Sequence, residues 1–290
     1  MEYGRIPGIG KDVSRLVMGT VRVEPALWEA FVERGGTCFD TAHHYGAESE
    51  RAVGALVERS GLRERLVVVG KGGHTPYCTP GDLRRQLPES LERLSTDHVD
   101  LYLLHRDNQA HPVAAFAEAL AEHLAAGRTR AIGVSNWAVA RVEAFNEEAA
   151  AHGLAPVACL SNQFSLAEML DPVWEGCLTA FDAASRAWLE RTQTPLLAWS
   201  AQARGFFAGR PEDEEMRRSW LDERNVERRR RAEELAGRLG APPAAVALAW
   251  VLAQPFPTFA VVGPRDRAEL DACLAALDVL LTAEDVGRLG

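Results

Sequence analysis

Short apolar runs alternate with longer segments of helical period along the whole chain, the pattern of a parallel sheet joined by crossover helices. The apolar runs predict strands over Arg15–Gly19, Thr37–Thr41, Leu66–Lys71, Val99–His105, Thr129–Ser135, Val157–Asn162, Leu196–Ser200 and Phe259–Gly263. The helix-period segments predict helices over Pro25–Arg34, Ser49–Glu58, Gly81–Leu94, Pro112–Ala126, Val139–His152, Pro172–Arg191, Asn225–Leu239 and Arg267–Leu277. Eight such pairs in 290 residues predict an α/β protein, a (β/α)8 TIM barrel whose site lies at the C-terminal strand ends. No Pro/Gly/Ser linker divides the chain, so residues 1–290 are read as a single domain. The longest connection, Ala201 to Asp222, is too long for a simple turn and reads either as a lid or as a solvated excursion.

Three of the predicted strands end in chargeable groups: Thr37-Cys38-Phe39 runs into Asp40, Val67 to Gly70 into Lys71, and Val99 to Leu104 into His105. One lysine at a strand end is more simply a side chain reaching for water. Three ionisable ends in a barrel converge on one mouth.

Composition narrows the function classes. A hydrophobic content of 47% suits a large core, and a formal net charge of −9 disfavours a partner held by phosphate neutralisation, so no nucleic acid is expected. The run Arg228 to Arg231 is bracketed by Glu227, Glu233 and Glu234 and reads as a solvated helix face. Five cysteines without a CxxC pair indicate neither a disulfide framework nor a zinc cluster, which suits a reducing cytoplasm. No basic-then-apolar leader opens the sequence, and no apolar run approaches the roughly 20 residues that span a bilayer, so a soluble, cytoplasmic protein without membrane partners is expected. His43, His44 and His74 lie near the mouth, but no spacing resembles a closed metal-ligand set. Gly70-Lys71-Gly72-Gly73 lacks the phosphate-loop arrangement, and no GxGxxG follows the first strand, so any dinucleotide binds a barrel rather than a Rossmann fold.

The chemistry follows from Asp40, Tyr45, Lys71 and His105 sharing one mouth. Tyr45 sits on the loop leaving the second strand, and a phenol with an ordinary pKa of ~10 is a weak proton donor at neutral pH. A neighbouring ammonium lowers that value, and a carboxylate keeps the ammonium charged and in place. Attraction at ~4 Å is worth about 4 kcal/mol at an effective dielectric of ~20, enough to shift a pKa by units before desolvation is subtracted. The set reads as a tuned general acid, with His105 as a donor that polarises a carbonyl.

FDTAHHYGAESE, VVVGKGGH, SLERLSTDHVDLYLLHRD, GVSNW and SNQFSL, in this order, resemble the aldo-keto reductases, and the similarity runs from about Val13 to Leu281. The resemblance implies reduction of an aldehyde or ketone, a small-molecule substrate, by hydride from a nicotinamide cofactor. Tyr45 would protonate the carbonyl oxygen, Asp40 and Lys71 would tune it, and His105 would orient the carbonyl and assist proton transfer. Ser135, Asn136 and Gln163 match carboxamide-binding positions, and Trp199 falls where an aromatic ring stacks on the nicotinamide. Gly19 and Thr20 would border the cofactor with Asp40, while Ser200, Ala201, Gln202 and Gly205 would hold its pyrophosphate. Taken singly, Ser135-Asn136 is an ordinary helix cap, Trp199 core and Gln163 a strand cap.

Two departures from the family pattern matter. In Gly263 to Cys273, which matches the segment gripping the adenosine 2′-phosphate, Glu269 stands where arginine or glutamine is common and Cys273 replaces asparagine. Arg265 or Arg267 must then supply the phosphate partner, so NADP is expected, with NAD as the other possibility. The sequence also ends at Gly290, soon after the eighth helix, which predicts a more open pocket walled by Tyr77, Trp137, Phe206 and Phe207, with His74 and Arg106 beside it. The competing reading is a regulatory barrel that holds a nicotinamide cofactor as a redox reporter, and a third is a barrel isomerase or lyase without a redox cofactor. No stretch reads as an exclusive subunit interface.

Overall fold

The computed structural model describes residues 1–151 and 153–290. A two-stranded antiparallel hairpin, β1 (Tyr3–Gly4) and β2 (Val13–Ser14), precedes β3 (Leu16–Gly19), α1 (Pro25–Glu33), β4 (Cys38–Asp40), α2 (Ala47–Ser60), β5 (Val67–Gly72) and α3 (Pro80–Leu94). The chain continues through β6 (Val99–Leu104), α4 (Val113–Ala125), β7 (Thr129–Ser135), α5 (Val139–Ala151), β8 (Leu160–Ser161), α6 (Ala183–Thr192) and β9 (Leu196–Ala198). It closes with α7 (Glu214–Trp220), α8 (Glu223–Leu239), α9 (Pro243–Leu252), β10 (Thr258–Val262), α10 (Arg267–Ala275) and α11 (Ala283–Leu289). Strands β3 to β10 pair in parallel and in sequence, with β10 returning to β3, to form the closed eight-stranded barrel expected. Among the described residues no single helix is long and apolar enough to cross a membrane.

Strand periodicity divides the core in two. Val17, Cys38, Val67, Val69, Leu101, Leu103, Cys159, Leu197 and Phe259 point inward, joined by Ile6, Ile9 and Val13 of the hairpin segment. The alternate residues, among them Met18, Phe39, Val68, Tyr102, Leu104 and Ile132, pack outward against the helices. Continuing the inward series by two residues per step reaches Asp40 after Cys38, Lys71 after Val69 and His105 after Leu103. The alternation that fills the barrel thus aims all three into its mouth.

The outward face shows how closely strand and helix approach. A Cβ at Gly72 would lie 1.9 Å from the hydroxyl of Tyr102, a fully buried side chain. Glycine is needed there for space, and the Tyr102 hydroxyl has no hydrogen-bond partner among the described residues. At the foot of the barrel, buried Asp100 is paired with Lys11 at 2.7 Å and Arg63 at 2.9 Å and accepts the Val68 N–H at 2.9 Å.

Several boundaries differ from the sequence expectation. The helix expected over Pro172–Arg191 forms only at Ala183–Thr192, where Asp182 caps it by accepting the Ser185 N–H at 2.9 Å. The preceding segment turns through Gly176 at φ +74°, and the strand expected over Val157–Asn162 pairs regularly only at Leu160–Ser161. The last residue of the helix expected over Val139–His152 lies outside the described residues. Helix α9 was not expected: it is apolar all round because it is buried all round, so it shows no amphipathic period. The Ala201–Asp222 connection contains a 3-10 turn at Ala203–Ala208 and α7, and α11 follows the last expected helix.

Gly72→Ala is expected to cost about 1–3 kcal/mol by overpacking. Because the clash is with an unpartnered hydroxyl, Tyr102→Phe in the same chain should return at least half of that loss. Urea midpoints of the single and double variants check this, and a double variant no more stable than Gly72→Ala would refute the contact.

Candidate active site

Three strand ends and one loop bring the tetrad together. After Asp40, the Thr41 N–H donates to the Val69 carbonyl at 2.8 Å, and the chain enters a 3-10 turn, His43–Tyr45, that brings Tyr45 back over the barrel. Lys71 Nζ donates to Asp40 Oδ2 at 2.5 Å and to Tyr45 Oη at 3.2 Å, and lies 5.1 Å from the centre of the Tyr45 ring. The His105 ring stands edge-on to Tyr45 with centroids 5.7 Å apart. Asp40, Lys71 and His105 are buried, whereas Tyr45 retains partial exposure.

Burial dominates the electrostatics. It raises the Tyr45 phenol above its ordinary value, and the opposing pull of Lys71 only partly offsets this. The net direction is therefore opposite to the lowering that the lysine alone predicts. Burial also raises the Asp40 carboxyl against the attraction of Lys71. Burial disfavours the Lys71 ammonium too, but Asp40 and Tyr45 outweigh it and hold the ammonium above its ordinary value. The two shifts bear on one contact in opposite senses; Asp40 and Tyr45 both stabilise the Lys71 ammonium, which favours the ionised pair. His105 is pushed well below the ordinary histidine value by burial and by the charges of Lys71 and Arg106. It is neutral at pH 7, and its Nδ1 has no partner among the described residues.

The predicted cofactor residues fall into two groups. At the mouth, Ser135 Oγ donates to the Ser161 carbonyl at 2.8 Å, and Asn136 Nδ2 donates to the His105 carbonyl at 3.2 Å and to Ser135 Oγ at 3.0 Å. Gln163 donates to Ser165 Oγ at 2.9 Å and accepts from Thr179 Oγ1 at 2.8 Å. Thr20 Oγ1 donates to the Asp40 carbonyl at 3.1 Å, beside Gly19. Trp199 is partly exposed, its indole N–H has no partner among the described residues, and Trp174 lies over it at 6.1 Å. In the second group, Cys273 Sγ donates to Gln202 Oε1 at 3.4 Å, joining α10 to the loop after β9. Glu269 accepts from Arg210 Nη2 at 2.7 Å through each carboxylate oxygen and from the Arg265 N–H at 2.8 Å. Gly205, at φ +99°, leaves the space that the Arg210 stem fills. Gly263 follows β10 and is exposed, with open space around its Cα.

On the substrate side, the His44 and His74 rings stack at 3.7 Å, and His74 meets His105 edge-on at 4.8 Å. Tyr77 is 63% exposed and forms an isolated bridge with His74. Three expected wall residues are corrected. Trp137 is fully buried between Phe116 and Phe145, and Asn162 fixes it there by accepting its N–H at 3.2 Å and donating to its carbonyl at 3.0 Å. Phe206 is 1% exposed, packed against Phe207 and covered by Arg229. Phe207 is itself 3% exposed, and all three belong to the core. Arg210 and Trp174 were missed, because each reaches the site from a long irregular segment whose path no local pattern reveals.

The "Aldo/keto reductase family" profile matches residues 23–290. This chain belongs to the aldo/keto reductase family. As an aldo/keto reductase it is an NAD(P)H-dependent oxidoreductase, and it is 28% identical to "Uncharacterized oxidoreductase YrpG" of Bacillus subtilis over 98% of this chain and 93% of that one. It is also 28% identical to "Norsolorinic acid reductase stcV" of Emericella nidulans, over 93% of this chain and 72% of that protein. Among solved structures, the thermostable aldo-keto reductase Tm1743, determined with the inhibitor epalrestat, superposes with a TM-score of 0.82 at 26% identity, covering 100% of this chain and 98% of that one.

Removing one member of the buried pair leaves the other uncompensated. Lys71→Met is expected to destabilise this aldo/keto reductase by about 3–5 kcal/mol, and Asp40→Leu added to it should recover part of that loss. Urea unfolding of both variants checks the coupling; equal midpoints for the single and double variants would contradict it.

Proposed function

We propose that the protein reduces the carbonyl of a small aldehyde or ketone to an alcohol, with NADPH as the preferred cofactor. The reading is carried by the contact chain from Asp40 through Lys71 to the hydroxyl of Tyr45, beside a neutral His105. Tyr45 holds a proton at Oη and faces the mouth, which suits donation to a carbonyl oxygen gaining negative charge. Lys71, held cationic by Asp40, favours the phenolate left behind. Neutral His105 orients the carbonyl by hydrogen bonding without competing as the acid.

The residues around the mouth fit a nicotinamide dinucleotide. The side-chain amides of Asn136 and Gln163 offer donors and acceptors that match a carboxamide, and Trp199 presents a partly exposed aromatic face. The loop after β9 passes through left-handed residues at Ser200, Ala203, Arg204 and Gly205, a backbone shape that builds anion-binding concavities. When bound, the cofactor supplies the hydride. At the far end, Arg210 neutralises Glu269, which weakens the argument that this carboxylate repels a 2′-phosphate or accepts from a free 2′-hydroxyl. Arg265 and Arg267 remain as the phosphate partners.

Tyr45→Phe is expected to lower carbonyl reduction by about 10²–10⁴-fold while cofactor affinity stays within a few-fold. Stopped-flow reduction of an aryl aldehyde measures this, and near wild-type rates would end the assignment of Tyr45 as the acid. Reduction needs the protonated phenol, so the rate falls as pH rises through its pKa. Because that value is raised, the rate should stay level through neutral pH and fall only in the alkaline range, and Lys71→Met should move the fall higher still. An unmoved alkaline limb in the Lys71 variant would contradict the tuning.

For the cofactor, NADPH should bind at least about tenfold tighter than NADH, from a charge-assisted contact worth roughly 1.5–3 kcal/mol. Arg265→Ala should remove most of that margin, and Glu269→Gln should widen it by freeing Arg210. Fluorescence titration with both cofactors measures the ratios, and tighter NADH binding by the wild type would reverse the preference.

A further inference from the structure

Cations elsewhere in the barrel have good partners of their own: at its foot, Arg15 donates to the Thr258 and Leu252 carbonyls at 2.7 Å each. Lys71 has Asp40, and Lys11 and Arg63 have Asp100. Arg106, which directly follows His105, is different. It is 6% exposed and forms no ion pair among the described residues: Nη1 donates to the His105 carbonyl at 3.5 Å, Nη2 to the Cys177 thiol at 3.3 Å, and Nε has no partner. A carbonyl at the limit of bonding distance and a sulfur are weak acceptors for a guanidinium. The adjacent acid is committed elsewhere, Asp107 to Arg141 at 3.2 Å. A charge taken out of water without a counter-charge costs several kcal/mol, so an unpaired buried guanidinium is a poor structural choice.

Its surroundings are those of the reaction. Arg106 carries the strand end that holds His105, and its charge is felt at His44, His74, His105 and Tyr45. Burial first, and Arg106 with it, depresses all three histidines, so the stacked His44–His74 pair is neutral and Arg106 is left as the cation on this side of the mouth without an acid. The flat imidazole stack beside His105 suits a planar group held against it.

We infer that Arg106 is a specificity-determining residue that binds an anionic group, a carboxylate or an equivalent oxyanion, carried by the carbonyl substrate. The inference rests on the proposed carbonyl reduction and adds the charge of the substrate. An incoming carboxylate supplies the missing counter-charge, and the planar guanidinium fork matches it in a way that a lysine does not. A neutral analogue of the same shape leaves the cation unpaired.

The ortho, meta and para carboxybenzaldehydes and their methyl esters test this, together with calorimetric titration of benzoate, which needs no turnover. In the wild type, kcat/KM for at least one acid should exceed that of its own ester by about tenfold or more, and benzoate should bind. Arg106→Leu should bring the acid-to-ester ratio close to one and abolish benzoate binding, whereas Arg106→Lys should keep part of both. Should the leucine variant fail to fold, the wild-type ratio and the lysine variant decide. A wild-type ratio near one for all three isomers, or a ratio and benzoate affinity that survive in the leucine variant, overturns the inference. Benzoate binding that depends on Arg106, with neither acids nor esters reduced, would uphold the anion site and reject the reductase reading instead.

Discussion

The contact between Lys71 and Asp40 in the barrel mouth is the constraint around which the site is arranged. Two charges removed from water are tolerated only when they are paired, and Nζ meets Oδ2 directly while Asp40 Oδ1 has no partner among the described residues. The contact requires the inward positions of β4 and β5 to meet at the same height, which their pairing of Cys38 with Val67 and Asp40 with Val69 provides. A one-residue slip of either strand would turn the charged side chain into the helix layer. The pair then sets the state of its neighbours: Lys71 offsets part of the penalty of burying Tyr45, and the same charge helps hold His105 neutral. Proton donor and orienting group are separated by environment rather than by residue type alone.

The two ends of β6 show the same physics with opposite outcomes. At its start, Asp100 is buried with two close cations and a backbone N–H, a closed arrangement that stabilises the barrel's foot. Past its other end, Arg106 is buried with no acid. The foot balances Asp100 from within the chain, whereas Arg106 has no acid among the described residues to balance it.

Much of this was legible in the sequence because one rule, period-two alternation, both fills the barrel and aims the strand ends. Asp40, Lys71 and His105 follow from it directly, and the sequence expectation for the tetrad coincides with the cluster in the structure. Carried past the strand end, the same rule aims Trp137 inward with Ala131 and Ser135, but Asn136 at φ +58° breaks the alternation and Trp137 turns out to the helix layer beside Phe116 and Phe145. Phe206 was misplaced for want of any periodicity in its loop. Helix α9 was invisible to a search for amphipathic period because all its faces are covered. The pairing of Arg210 with Glu269 joins residues 59 positions apart, and Glu269 alone suggested repulsion toward a phosphate. The direction of the Tyr45 shift was also beyond the sequence, which names the neighbouring lysine but not the depth of burial that outweighs it.

The central claim is that buried electrostatics keep Tyr45 a protonated phenol beside a cationic lysine. Carbon-13 labelling of the tyrosine ring ζ position, with the Tyr45 signal assigned by comparison with Tyr45→Phe, reads that state directly as pH is raised. The account predicts that Tyr45 remains a phenol at pH ~10, the ordinary midpoint for tyrosine, and ionises only above it. A Tyr45 signal already half-converted to phenolate below that pH would contradict it.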